Sequence, residues 1–343
     1  MRIPARLALA TSLLISSLSA NAGGFMFAWM EHFDFVDSNP ERITHMMGYE
    51  GEDNQHLQIS VCISPDSAHK SELEIPLKNA ITTWNQLDPV LGNTTTNDPE
   101  VSTGVLDVES VLMHEIGHCI GLAHPNLGKE SGLVGSDREF AKTTPGPSGQ
   151  YDLDAGPDGV IGTREDRRGD DVNVNWFRRA DNDPFAYSGP FDATTFSVDV
   201  EDLPDGHDHV EIARLDVARH RGHPDDETVM NHVIRHHSTR RNLNRTDAAM
   251  IRLAMSGIDR EQGTSKDYTF ELYYSGVDED CDIQVSLEGT DLGRCIISAS
   301  RIDGDDNHWA ISSASIRMDP SVNWHFSTVS LDELFFDRFE DQD

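Results

Sequence analysis

The stretch Asp107 to Pro125, DVESVLMHEIGHCIGLAHP, constrains this chain more than any other, because three histidines and a glutamate stand in it at fixed offsets. His114 and His118 are four apart, which on a helix puts both imidazoles on one face within reach of a single ion. Glu115 projects beside them, toward a water held by that ion. Gly121 tolerates the left-handed conformation that ends a helix and turns the chain, so His124 can come round as a third ligand. Three protein ligands leave a fourth position for water, the layout of a catalytic zinc and not of a closed structural one. Five fixed residues at roughly one in twenty each arise by chance in about one such chain in ten thousand, so a buried helix with incidental histidines is set aside.

The pattern H-E-x-x-H-x-x-G-x-x-H resembles the zinc signature of the metzincin metallopeptidases, and the flanks DVESVL and GLAHP are most similar to the matrixin branch. The resemblance implies an α+β fold, a metzincin-like catalytic domain with a mixed sheet and a long active-site helix. It also implies a zinc-dependent endopeptidase acting on protein or peptide, with zinc on His114, His118 and His124 and Glu115 as general base. Thr228-Val229-Met230-Asn231 resembles the Met-turn, in which a thioether, here that of Met230, lies beneath the zinc ligands. LNRTDAAMIRLAMSG is similar to the closing helix of matrixin catalytic domains, with an Asn or Thr cap at its start and Gly257 at its end. No cysteine stands in a Pro-Arg-Cys-Gly context, so latency through that thiol is not expected. The competing reading is a catalytically silent extracellular binding protein on a metzincin-like scaffold. Retention of the base together with the ligands favours hydrolysis.

Residues 1–22 carry Arg2 and Arg6, an apolar run from Leu7 to Leu18, then Ala20-Asn21-Ala22, which predicts a signal peptide cleaved after Ala22 and a secreted, extracellular protein. That run is short for a bilayer and no later stretch approaches the required length, so no membrane span is expected. With sixty acidic residues against 27 basic ones, nucleic acid is not an expected partner, and carboxylates are at hand for calcium. Four cysteines in an exported chain predict two disulfides. Cys62 lies in an apolar run expected to pack near the helix carrying Cys119, while Cys281 and Cys295 fall together late in the chain. Pairing within each set is favoured among the three connectivities that four cysteines allow.

LQISVCI, residues 57–63, reads as a strand, and Ser71 to Leu87 as a helix with Leu73, Leu77, Ala80, Ile81 and Trp84 on one face and Ser71 as cap. Only residues 88–106 separate this helix from the histidine-bearing one. Metzincins place several sheet strands in that interval, including the rim strand that binds substrate. A large Gly, Pro and Asp-rich insertion then covers about 126–227. Within it, Asp154 to Glu165 resembles an EF-hand-type calcium loop, with Asp154, Asp158, the Val160 carbonyl and Glu165 at ligand positions and Gly156 departing from the pattern. The catalytic domain is expected to span 23–257. After it, DYTFELYY, CDIQVSLEG, RCIISASRI and HWAISSASIRM are short, alternating segments that predict a small antiparallel β domain over 258–343, with no catalytic group in it.

Overall fold

Alternation decides the first long strand. In HLQISVCI the residues Leu57, Ile59, Val61 and Ile63 share one face and are all buried, so strand β2 (His56–Ile63) has one side committed to the core. A shorter strand, β1 (Ile43–His45), precedes it. In the computed structural model, the described residues are 22–26, 28–29, 32–33, 41–124, 176–179, 195–198, 202, 215–220, 223, 225–231 and 233–331. Most of the expected signal peptide and the calcium-loop positions Asp154, Asp158, Val160 and Glu165 lie outside them.

Helix α1 (Lys70–Gln86) follows β2 and buries Leu73, Leu77, Ala80, Ile81 and Trp84. It starts two residues earlier than a Ser71 cap would place it, with His69 in the cap position. Helix α2 (Val108–Cys119) carries the histidines, and every residue of it is buried. Asp107 caps it, its Oδ2 accepting from the Ser110 backbone N–H at 3.0 Å. Helix α3 (Arg245–Met255) opens with a capping box between Asn244 and Asp247. α1 and α2 pack on each other, and the Trp84 indole N–H donates to the Met113 carbonyl at 3.0 Å across the contact.

The sheet corrects the expected domain plan. Strands β3 (Thr269–Val277), β4 (Ile283–Ser286), β5 (Arg294–Arg301) and β6 (His308–Arg317) do not form a separate antiparallel unit. They join β1 and β2 in one six-stranded sheet, in the order β3-β2-β4-β6-β5, with β1 also on β6. β2 pairs in parallel with both β3 and β4, and β6 pairs in parallel with both β4 and β1. Only the edge pair β5–β6 is antiparallel. The physical reason is burial: the committed face of β2 needs neighbours on both edges, and 88–106 contributes only the two-residue strands Thr95–Thr96 and Leu106–Asp107. The strands after Gly257 supply them. One hydrophobic core accordingly runs from Leu57, Ile59 and Val61 through Leu112 and Ile116 to Val285, Ile297 and Ile316.

The disulfides follow from this sheet and correct the expected pairing. Cys62 bonds Cys281, and Cys119 bonds Cys295, with Cα separations of 6.0 and 5.7 Å. β4 lies beside Val61–Ile63 in the sheet, which brings Cys281 to Cys62. The α2 face bearing Cys119 meets β5 and β6, which brings it to Cys295 and not to β2. Two disulfides fit an oxidising compartment. No described helix is long and apolar enough to cross a membrane.

Candidate functional site

α2 ends where the sequence places its glycine. The Gly121 N–H donates to the His118 carbonyl at 3.0 Å and the Leu122 N–H to the Gly117 carbonyl at 2.9 Å, which satisfies the last turn while Gly121 sits at φ 111°. A Cβ on Gly121 would lie 2.5 Å from the Thr44 carbonyl oxygen, so both the conformation and the close approach of β1 call for glycine. The turn carries His124 back over the helix.

The structure brings His114, His118 and His124 together. Their Nε2 atoms are 3.0 Å apart between His114 and each of the other two, and 3.2 Å between His118 and His124. Two of the rings have their tautomer fixed from behind. His114 Nδ1 is 2.7 Å from the Val229 carbonyl and His118 Nδ1 is 2.8 Å from the Leu122 carbonyl. A carbonyl only accepts, so each Nδ1 carries the proton and each Nε2 presents a lone pair. Burial pushes the His118 imidazole down to about 4, which keeps it neutral. Lone pairs converging at this spacing repel unless a cation lies between them. Tetrahedral zinc–nitrogen bonds imply ligand nitrogens roughly 3.3 Å apart, and the donor set fits such an ion. Among the described residues this is the group of three side chains that could hold a metal ion.

Glu115 stands beside this centre, only 4% exposed. The Cys295 backbone N–H lies close enough to its carboxyl to favour the charged form, and among the described residues its Oε2 has no hydrogen-bond partner. Burial pushes the Glu115 carboxyl up to about 8, opposed by the Cys295 N–H and by the charge of Arg294. A cation among the three imidazoles would act in the opposite direction to burial and favour the carboxylate. The cavity over the centre, about 270 Å³, is lined by the three histidines, Glu115, Met26, Ile234 and the segment Leu292–Cys295.

Met230 lies under the helix. A Cβ placed on Gly117 would be 2.3 Å from the Met230 Sδ and 3.0 Å from Trp84 Cζ2, so that glycine is what allows the thioether to approach the backbone between the two helical histidines. The turn is anchored by the buried Asp247 carboxylate of α3, which accepts from the Val229 N–H at 2.8 Å, the Met230 N–H at 3.2 Å and the Thr228 hydroxyl. The carbonyl that orients His114 belongs to the same turn. Asn231, which follows it, is buried and donates to Glu227 at 2.6 Å.

The segment Leu292–Cys295 was not identifiable from the sequence as part of the site, and no group after Gly257 had been assigned to it. Gly293 packs so closely that an added Cβ would meet Glu115 Oε1 at 2.5 Å and Val111 Cγ1 at 2.8 Å. A glycine before an alternating strand is the only local signal, and it does not say which helix the strand will meet. Met26 was also missed. It reaches the cavity because the Met26 N–H donates to the Gly121 carbonyl at 2.7 Å and the Ala123 N–H to the Gly24 carbonyl at 2.9 Å, a short antiparallel run along the turn that delivers His124. In comparisons with protein-family models, curated proteins and solved structures, nothing matches the chain.

Proposed function

We propose that the chain is a secreted zinc-dependent endopeptidase of metzincin type. The observation that carries this reading is the convergence of three imidazole lone pairs, two of them fixed by backbone carbonyls, beside a buried carboxyl that lines the same cavity and whose Oε2 has no partner among the described residues. A zinc ion on His114, His118 and His124 would supply Lewis acidity toward a water and toward the peptide carbonyl.

The protein's own part is proton transfer and placement. Glu115 accepts a proton from the attacking water and returns it to the amide nitrogen as the carbon–nitrogen bond breaks, giving two peptides. Its burial limits competing solvent, and the nearby Cys295 N–H favours the charged form of the carboxyl. β5 ends the sheet order, so an extended polypeptide could align along it and bring its backbone over the cavity.

Glu115→Gln tests the reading. The amide preserves shape and leaves the three nitrogens in place but accepts no proton. Zinc content should stay at that of the wild type while hydrolysis of an unstructured protein falls by about a hundredfold or more. Hydrolysis equal to that of the wild type removes Glu115 from the mechanism. A binding protein on this scaffold would instead hold polypeptide equally well in both forms and cleave it in neither.

A further inference from the structure

The Cys119–Cys295 disulfide joins two parts of the cleft that are 176 residues apart in sequence. Cys119 follows the metal-site residue His118 on α2. Cys295 lies at the start of the edge strand and lines the cavity, two residues after Gly293, whose added Cβ would meet Glu115 Oε1 at 2.5 Å. Among the described residues β5 pairs with one strand of the sheet, β6. A covalent tie from the helix to this point therefore fixes the distance between Glu115 and the strand that lines the other side of the cavity.

We propose that Cys295, through its bond to Cys119, is a positioning residue that holds the edge strand against Glu115 and so sets the orientation of the general base. The assignment rests on the reading of the chain as a zinc peptidase. The Cys62–Cys281 bond provides an internal control, because it ties β2 to the chain just before β4 and neither cysteine lines the cavity. The two bonds close segments of 176 and 219 residues, whose logarithms are nearly equal, so on chain entropy alone their removal should cost similar stability. Only the first should disturb the base.

The experiment compares wild type with the paired variants Cys119→Ala/Cys295→Ala and Cys62→Ala/Cys281→Ala. Melting temperature, zinc content, kcat and KM on an unstructured protein substrate, and hydrogen exchange of the backbone amide at position 295 are measured for each. Losing Cys119–Cys295 should lower kcat by about tenfold to a hundredfold with KM little changed, and should speed exchange of the backbone amide at position 295 by about tenfold. Losing Cys62–Cys281 should lower the melting temperature alone. Equal kcat and equal exchange of the amide at position 295 in the two paired variants overturn the proposal. If Cys119→Ala/Cys295→Ala does not fold, Gly293→Ala decides: its Cβ would enter the space of Glu115 Oε1 with both disulfides intact, so undiminished kcat there also overturns it. A wild-type protein that binds no zinc and cleaves nothing would refute the peptidase reading, while amide exchange would still report whether the bond holds the strand on Glu115.

Discussion

Gly117→Ala is the most informative single substitution in the helix, because two effects of opposite sign can be weighed from the structure. Alanine in a helix interior is favoured over glycine by about 1 kcal/mol. Against that, the new Cβ would sit 2.3 Å from Met230 Sδ, 3.3 Å from Met230 Cε and 3.0 Å from Trp84 Cζ2, none of which is solvent-facing. Trp84 is held by its bond to Met113, so the thioether has to move. Overpacking of this kind costs about 1–3 kcal/mol, which leaves a net destabilisation of up to about 2 kcal/mol. In a protein of this size that is a fall of up to about 3 °C in melting temperature. The displacement also has a direction. Met230 and Val229 share the Asp247 anchor, and the Val229 carbonyl orients His114, so zinc affinity should fall as well. Melting curves and zinc titrations of Gly117→Ala should show both losses, and adding Met230→Ala should restore part of the zinc affinity by vacating the space. A Gly117→Ala protein that melts higher than wild type and binds zinc as tightly would refute the packing argument, leaving helix propensity as the whole effect.

Asp107→Ala removes the α2 cap and leaves Arg241 without the carboxylate it meets at 2.7 and 3.0 Å, so urea unfolding should show a loss of about 2–4 kcal/mol; a loss under about 1 kcal/mol would mean that neither contact matters. Acid should weaken the contact between β1 and β6, where His45 Nε2 and His308 Nδ1 are buried 2.8 Å apart near Tyr49, Tyr268, Asp259, Arg260 and Asp305. Burial holds His45 well below its ordinary value and pushes His308 down to about 4, so the unfolded chain takes up protons first: stability is full above about 6.5 and falls as pH drops toward 4, by roughly 3 kcal/mol from His308. His308→Gln should flatten that limb, and an acid profile identical to wild type would dismiss the pair as its source. Chelation should lower the melting temperature of zinc-loaded protein, by an amount equivalent to about 4 kcal/mol when zinc stands a thousandfold above its dissociation constant; an unchanged curve would show that the three histidines hold no ion.

What could be read in the sequence was what depends on short range. The histidine spacing, the glycine turn after the helix, the faces of α1 and α3 and the alternation of β2 are decided within about a dozen residues by helix and strand period. Disulfide partners and strand neighbours are not. Cys62 and Cys119 looked close because both lie in apolar segments near the histidines, yet which edge of the sheet meets which helix depends on pairings between residues more than 200 positions apart, such as Leu57 with Phe270. The alternation in RCIISASRI was visible, but alternation does not say whether a strand pairs parallel or antiparallel, or with which partner. For the same reason Gly293 and Cys295 stayed hidden although they touch the most recognisable residue of the chain.

The chain order itself yields the last prediction. Only residues 87–107 lie between α1 and α2, and the strands that flank β2 arrive after α3. The late segment starts beside the end of α3, where the Tyr268 N–H donates to the Met255 carbonyl, and finishes at the start of α2, where Trp324–His325 pairs in parallel with Leu106–Asp107. Asn79 of α1 closes that end, donating to the Val329 carbonyl at 2.9 Å and accepting from the Leu331 N–H at 2.9 Å. A protein ending at Gly257 would therefore lose both neighbours of β2, the strand beside Glu115 and both disulfides at once. It would leave Leu57, Ile59, Val61 and Ile63 flanked by two open edges, a surface that aggregates. Expression of residues 23–257 should give insoluble protein, or a soluble form without a cooperative melting transition and without zinc affinity. A truncated protein that melts cooperatively and binds one zinc would show that the early segment folds alone, and the shared sheet would then be an addition to the site and not its foundation.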